Sequence, residues 1–115
     1  MKFLSPSLHG LGDYAAAVVL ILAPSILGIK DQSIIAYWVS VVSGIGLIIY
    51  SLLTNYPFSI FKVIPFKAHL MLDTIAGVFL IALAFILELD IVSQSYFIIM
   101  GAGVLLVVAV TQSDA

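Results

Sequence analysis

Four long apolar runs, separated only by short polar breaks, constrain this chain more than any other feature. They read Leu8–Ile29, Ser33–Thr54, Lys67–Leu87 and Ser93–Thr111. Each approaches the roughly 20 residues a helix needs to cross the hydrocarbon core of a bilayer. Soluble helices that stay apolar on all sides over such lengths are rare. Composition agrees: 63% of the 115 residues are hydrophobic and 9% are charged, against about 45–50% and about 25% in ordinary soluble domains. A soluble monomer is excluded because so few polar groups cannot cover its surface. Four lysines without an arginine exclude nucleic acid as a partner. The absence of cysteine removes disulfide frameworks and thiolate metal sites. The expected fold is an all-α, integral membrane four-helix bundle whose partner is the lipid bilayer.

Local punctuation supports these edges. Ser5-Pro6 has the form of an N-cap followed by proline at the first helical position. Ile29-Lys30-Asp31-Gln32 breaks the first run, Asn55-Tyr56-Pro57 ends the second, and Glu88-Leu89-Asp90 separates the last two. The first run is too long for a signal-peptide core and carries Asp13 within it, so it reads as a retained span. Lys2, Lys62 and Lys67 fall on the side of the N-terminus and the middle loop, and Lys30 alone on the other. The excess places both termini in the cytoplasm, in a cell (inner) membrane. Tyr37-Trp38 and Tyr96-Phe97 are expected as aromatic anchors at the outer interface. The connector of about 57–66 is too apolar to float in water; it reads either as a segment along the membrane surface, with Lys62 toward the headgroups, or as a packed irregular link.

The chain also reads as one unit written twice in a single membrane domain, 1–115, with repeat 1 over about 5–56 and repeat 2 over about 65–113. His9-Gly-Leu-Gly-Asp13 opens the first span and His69-Leu-Met-Leu-Asp73 the third. Gly44-Ile-Gly46 followed by Thr54 matches Gly101-Ala-Gly103 followed by Thr111 at the same offset. Two spans per unit make the helical hairpins parallel-related, about an axis along the membrane normal. Ser40 with Gly44, and Gly77 and Ala16, supply small residues for close helix packing.

Asp13-Tyr14 through Ala23-Pro24-Ser25 to Gly28-Ile29, Tyr50 through Thr54-Asn55-Tyr56, and Val63-Ile64-Pro65 with His69-Leu-Met-Leu-Asp73 resemble the SPW-repeat integral membrane proteins over nearly the whole chain. The family's Ser-Pro-Trp is replaced here by Ala23-Pro24-Ser25 and Leu83-Ala84-Phe85. The resemblance implies a small four-helix membrane protein and carries no assigned mechanism.

Ionisable groups inside a bilayer are costly and mark functional sites by default. His9/Asp13 and His69/Asp73 are i, i+4 pairs, so each pair shares one helix face. Both open spans that start on the same side, where spans two and four end. Tyr14, Tyr50, Thr54, Asn55, Thr111 and Gln112 are expected around them as hydrogen-bonding partners. Three readings stay open. The four can form a buried pairing network that pins the helices. They can bind a divalent metal, with zinc suited to two imidazoles and two carboxylates; haem between His9 and His69 fits less well beside the carboxylates. They can relay protons or ions, although Ser40 and Ser43 are the best polar groups deeper in span two. An enzyme is the less expected outcome, since no nucleophile elbow is present. Met71 and Met100 read as gap-filling core or lipid-facing residues rather than copper ligands. A homo-oligomer or a membrane-protein partner is a further expectation, from the small size and the small-residue stripes.

Overall fold

The computed structural model describes residues 2–112; Ser113, the last residue assigned to the second repeat, lies outside the described residues. Four helices among these residues are long and apolar enough to cross a membrane: α1 (Pro6–Ile26), α3 (Ile34–Leu52), α4 (Phe66–Ile86) and α5 (Ile91–Val110). A short α2 (Ile29–Gln32) lies between the first two. The fold is the all-helical bundle of an integral membrane protein. Its outward faces carry exposed Val18, Leu22, Val42, Ile75 and Leu106, the surface that contacts lipid.

The starts of α1, α3 and α5 follow from side-chain caps, whereas α4 begins after Pro65 without one. Ser5 accepts the Leu8 N–H ahead of Pro6, Ser33 accepts the Ala36 N–H, and Asp90 accepts the Ser93 N–H. Each cap satisfies an amide that the helix itself leaves unpaired. The first span ends at Ile26, three residues earlier than its composition implied. Gly28 takes a positive φ of 71° and turns the chain into α2, a conformation that glycine adopts without strain.

Packing is dense within two hairpins, α1 against α3 and α4 against α5, and much sparser between them. One glycine sets each hairpin's close approach. A Cβ on Gly44 would lie 2.7 Å from the Ala17 carbonyl oxygen, and one on Gly101 would lie 2.6 Å from that of Gly77. The small residue facing Gly44 is therefore Ala17, fully buried, and not Ala16, which lies a 100° step around the helix.

Polar contacts tie the hairpins together at three depths. At the end away from the described termini Gln32 accepts the Asp90 N–H. Midway, the Ser40 hydroxyl donates to the Leu20 carbonyl at 2.7 Å and accepts from Tyr96 at 2.6 Å. Pro24 makes this possible, because it has no N–H for the carbonyl four residues earlier. Tyr96 and Phe97 are thus 7% and 0% exposed core residues rather than interface anchors. Their aromatic surface is worth more against the other hairpin than in the headgroups. Trp38 is exposed, and Lys30 lies over the ring of its neighbour Tyr37.

At the opposite end, where Leu4 and Gln112 lie, the same backbone pairing occurs twice. Gln112 donates to Leu4 and Leu4 to Val110; Asn55 donates to Ile64 and Ile64 to Leu53. Leu4 and Ile64 each precede a histidine by five residues, so these bridges seat the starts of α1 and α4 beside the ends of α5 and α3. The connector between Leu53 and Phe66 is irregular, with Phe58, Ile60, Phe61 and Val63 exposed. Lys62, itself exposed, donates to the Tyr56 carbonyl at 2.7 Å and to Ser59 Oγ at 3.0 Å, and Ser59 Oγ donates to the same carbonyl at 2.8 Å.

Candidate metal centre

The two backbone bridges bring His9 and Asp13 of α1 against His69 and Asp73 of α4. All four are buried, none more than 6% exposed. His9 Nε2 is 2.8 Å from Asp73 Oδ2 and 3.1 Å from Asp13 Oδ1; His69 Nε2 is 2.9 Å from Asp13 Oδ2 and 3.2 Å from Asp73 Oδ2. Imidazoles and carboxylates alternate around a closed ring, and in each pair the contact between helices is shorter than the contact within one. One donor atom from each residue lies within 4.8 Å of all the others. The imidazole centroids are 5.4 Å apart with planes at 80°, so the two Nε2 atoms converge on one space.

The partners of these four decide their chemistry. His9 Nδ1 is 2.9 Å from Thr111 Oγ1, and His69 Nδ1 is 2.8 Å from Thr54 Oγ1. Each threonine hydroxyl donates its single proton down its own helix, Thr54 to the Tyr50 carbonyl and Thr111 to that of Val107. Its oxygen therefore accepts from the imidazole, which places the N–H on Nδ1. In a neutral ring the Nε2 lone pair then faces the carboxylates. Two electron-rich groups at 2.8–3.2 Å repel unless a proton or a cation lies between them. His9 Nε2 has a hydrogen bond to Asp73 Oδ2. His69 Nε2 is fully buried and has none, although two carboxylate oxygens surround it.

The carboxylates are oriented in turn. Asp73 accepts the Tyr50 hydroxyl and Asp13 accepts the Tyr56 hydroxyl, the latter at 3.0 Å. Burial, with the Asp13 carboxylate adding to it, pushes the Tyr56 phenol above its ordinary value, so it stays protonated and donates. Phe66 covers the ring of four from the connector side, edge-on to His9 and stacked on His69. A Cβ on Gly10 would meet Tyr56 at 3.3 Å, so glycine there leaves room for the tyrosine.

Of the expected partners, Tyr50, Thr54 and Thr111 reach the tetrad. Tyr14 does not: its hydroxyl donates to the Phe58 carbonyl and holds the connector. Asn55 and Gln112 have exposed side chains; their backbone amides form the two bridges. Tyr56 was not expected. It sits in a connector, where no helical register assigns a direction to a side chain, and only its place beside Thr54-Asn55 hinted at it.

Comparison with known protein families, with curated proteins and with solved structures yields no match to this chain.

Proposed function

We propose that the protein is a small integral membrane protein whose two helical hairpins are clamped by one divalent metal ion, zinc being the best fit, held by His9, Asp13, His69 and Asp73. The observation that carries this is His69 Nε2, buried between two carboxylate oxygens and hydrogen-bonded to neither. Zinc bonds of 2.0–2.1 Å in a tetrahedron imply ligand atoms about 3.3–3.4 Å apart; Asp73 Oδ2 lies 2.8 and 3.2 Å from the two Nε2 atoms, and Asp13 Oδ2 lies 2.9 Å from that of His69. Two carboxylates neutralise a divalent ion, so the filled site adds no net charge to the bilayer interior. The threonines fix the tautomer and the tyrosines fix the carboxylates, the outer-shell support that metal ligands require.

The proposal includes a twofold repeat related along the membrane normal, supported by the matched Leu4–Thr111 and Ile64–Thr54 bridges and by the equivalent Gly44 and Gly101 contacts. It includes cytoplasmic termini, supported by the lysines at the tetrad end, and membership among SPW-repeat proteins, supported by the paired HxxxD elements. A second reading, a pairing network held by protons alone, is favoured by the 2.8 Å His9–Asp73 hydrogen bond. Proton or ion transport has less support, because beyond the tetrad and Tyr50 the cavity between the hairpins offers only Ser43 as a polar side chain. A structural subunit of a larger complex is compatible with either tetrad reading.

Elemental analysis of the detergent-purified protein tests the metal. One equivalent of zinc or another divalent metal, lost in the His9→Ala/His69→Ala variant, is the expected result. Metal that is substoichiometric and indifferent to that variant overturns the proposal in favour of the network.

A further inference from the structure

Between the tetrad and the Ser40–Tyr96 contact lies a cavity of about 570 Å³, within the range of pockets that take small molecules. It follows α1 from Gly12 to Leu20, about 12 Å at 1.5 Å per residue. Its floor is His9, Asp13, Asp73 and Tyr50, and its walls are almost wholly apolar. Glycines produce the space. A Cβ on Gly12, Gly46 or Gly103 would meet nothing within 4 Å, in contrast to the tightly enclosed Gly44 and Gly101. The two glycines of each GxG therefore do different jobs, the first closing a hairpin and the second opening the cavity. Gly12 and Val19 of α1 and Ile99 and Gly103 of α5 line it and are exposed, so it opens sideways to lipid between two helices with little direct packing.

The floor selects the head of an occupant. Both Asp73 oxygens are engaged, one by Tyr50 and the other by His9. Asp13 Oδ2 accepts from Tyr56. Asp13 Oδ1 has only His9 Nε2 nearby, at 3.1 Å, and that nitrogen's closer partner is Asp73. Among the described residues it is the tetrad oxygen left to accept from a ligand. Two imidazolium–carboxylate pairs are neutral, and so are two imidazoles and two carboxylates around a divalent ion. A cationic head would add an uncompensated charge at low dielectric, and an anionic one would face two carboxylates. A neutral donor fits.

We infer that this cavity binds a lipid-borne primary alcohol, with its chain along α1 and α5 and its hydroxyl donating to Asp13 Oδ1. The inference rests on the tetrad geometry used in the proposed function, and holds whether proton or metal joins its members.

The test uses the full-length chain in fluorine-free lipid nanodiscs, titrated with ω-fluorodecanol and followed by fluorine NMR. Saturable binding of one alcohol per chain is expected. Fluorodecane, lacking the hydroxyl, should bind about tenfold more weakly, the weight of one buried hydrogen bond. Gly46→Leu and Gly103→Leu, which fill the space without touching the tetrad, should abolish binding while the metal content of each variant stays at the wild-type level. Should either leucine disturb folding, Gly12→Ala, a single methyl in open space, gives a graded loss instead. Non-saturable uptake by the wild type, equal affinity for the alkane, or unchanged binding in the filled variants overturns the inference. Alcohol binding by protein free of metal sinks the metal proposal alone; stoichiometric metal without alcohol binding sinks this one alone.

Discussion

Thr54 Oγ1 lies 2.8 Å from His69 Nδ1, and because its proton is already given to the Tyr50 carbonyl, the threonine accepts. That bond aims the other imidazole nitrogen at the carboxylates. The His9–Thr111 pair repeats it across 102 residues. A threonine at a helix end thus sets the tautomer of each histidine in the candidate centre.

Replacing Thr54 or Thr111 by valine removes the acceptor while keeping the shape. We expect each variant to bind zinc about 10–100-fold more weakly, and serine at either position to restore most of the loss. Competition titration against a chromophoric chelator measures this. Unchanged affinity in both valine variants would show that the threonines have no part in orienting the ligands.

The contact between helices at His9 and Asp73 is the shortest His–Asp contact in the tetrad. A double-mutant cycle with His9→Ala and Asp73→Ala, read from unfolding in mixed micelles, should give a coupling energy above about 0.5 kcal/mol, since contacting residues do not add. Additive losses would argue that each hairpin holds its own pair.

Ser40 satisfies the Leu20 carbonyl that Pro24 leaves without a donor. Ser40→Ala should cost about 1–3 kcal/mol, because a buried acceptor and the Tyr96 hydroxyl both lose their partner. In a Pro24→Ala background the helix supplies its own N–H to Leu20, so the same substitution should cost less. Equal losses in the two backgrounds would break the link between the proline and the serine.

The two glycines of each GxG should respond oppositely. Gly44→Ala and Gly101→Ala force a methyl against backbone oxygen at 2.7 and 2.6 Å and should cost about 1–3 kcal/mol. Gly46→Ala and Gly103→Ala meet open space and gain helix propensity, so they should be neutral or stabilising. Thermal unfolding of the four variants in one detergent separates the pairs.

Asp90 caps α5 by accepting the Ser93 N–H at 2.8 Å, and that backbone hydrogen bond holds its carboxyl below the usual carboxylate range. A depressed folded-state pKa gives stability that is complete above the unfolded value of about 3.9 and lost as pH falls through the folded value. Amide exchange at Ser93 and Gln94 should therefore accelerate below about pH 4, ahead of the rest of α5. Asp90→Asn, which caps without a charge, should flatten that dependence.

Span number, helix starts and the shared face of each HxxxD pair were legible in the sequence because they depend on local periodicity and on capping chemistry. The histidines and aspartates stood out for the same reason: an ionisable group in an apolar run is conspicuous. Tyr56 was not legible, because a connector has no period from which to infer direction. Tyr96 and Phe97 misled because an aromatic pair near a span end has the same pattern whether it faces headgroups or another helix. Ala16 and Ala17 differ by one step around α1, and only the partner helix chooses between them.

The amino-acid order alone determined that this chain resides in a bilayer as four helices, since chain length, apolar runs and caps act within a few residues of one another. Tertiary structure alone decided that the two ionisable faces turn toward each other, that the threonines accept from the histidines, and that one glycine in each GxG closes a hairpin while the other leaves a cavity. Those outcomes depend on distances between residues from 15 to 102 positions apart, which are set when helices pack and hairpins dock and have no local signature.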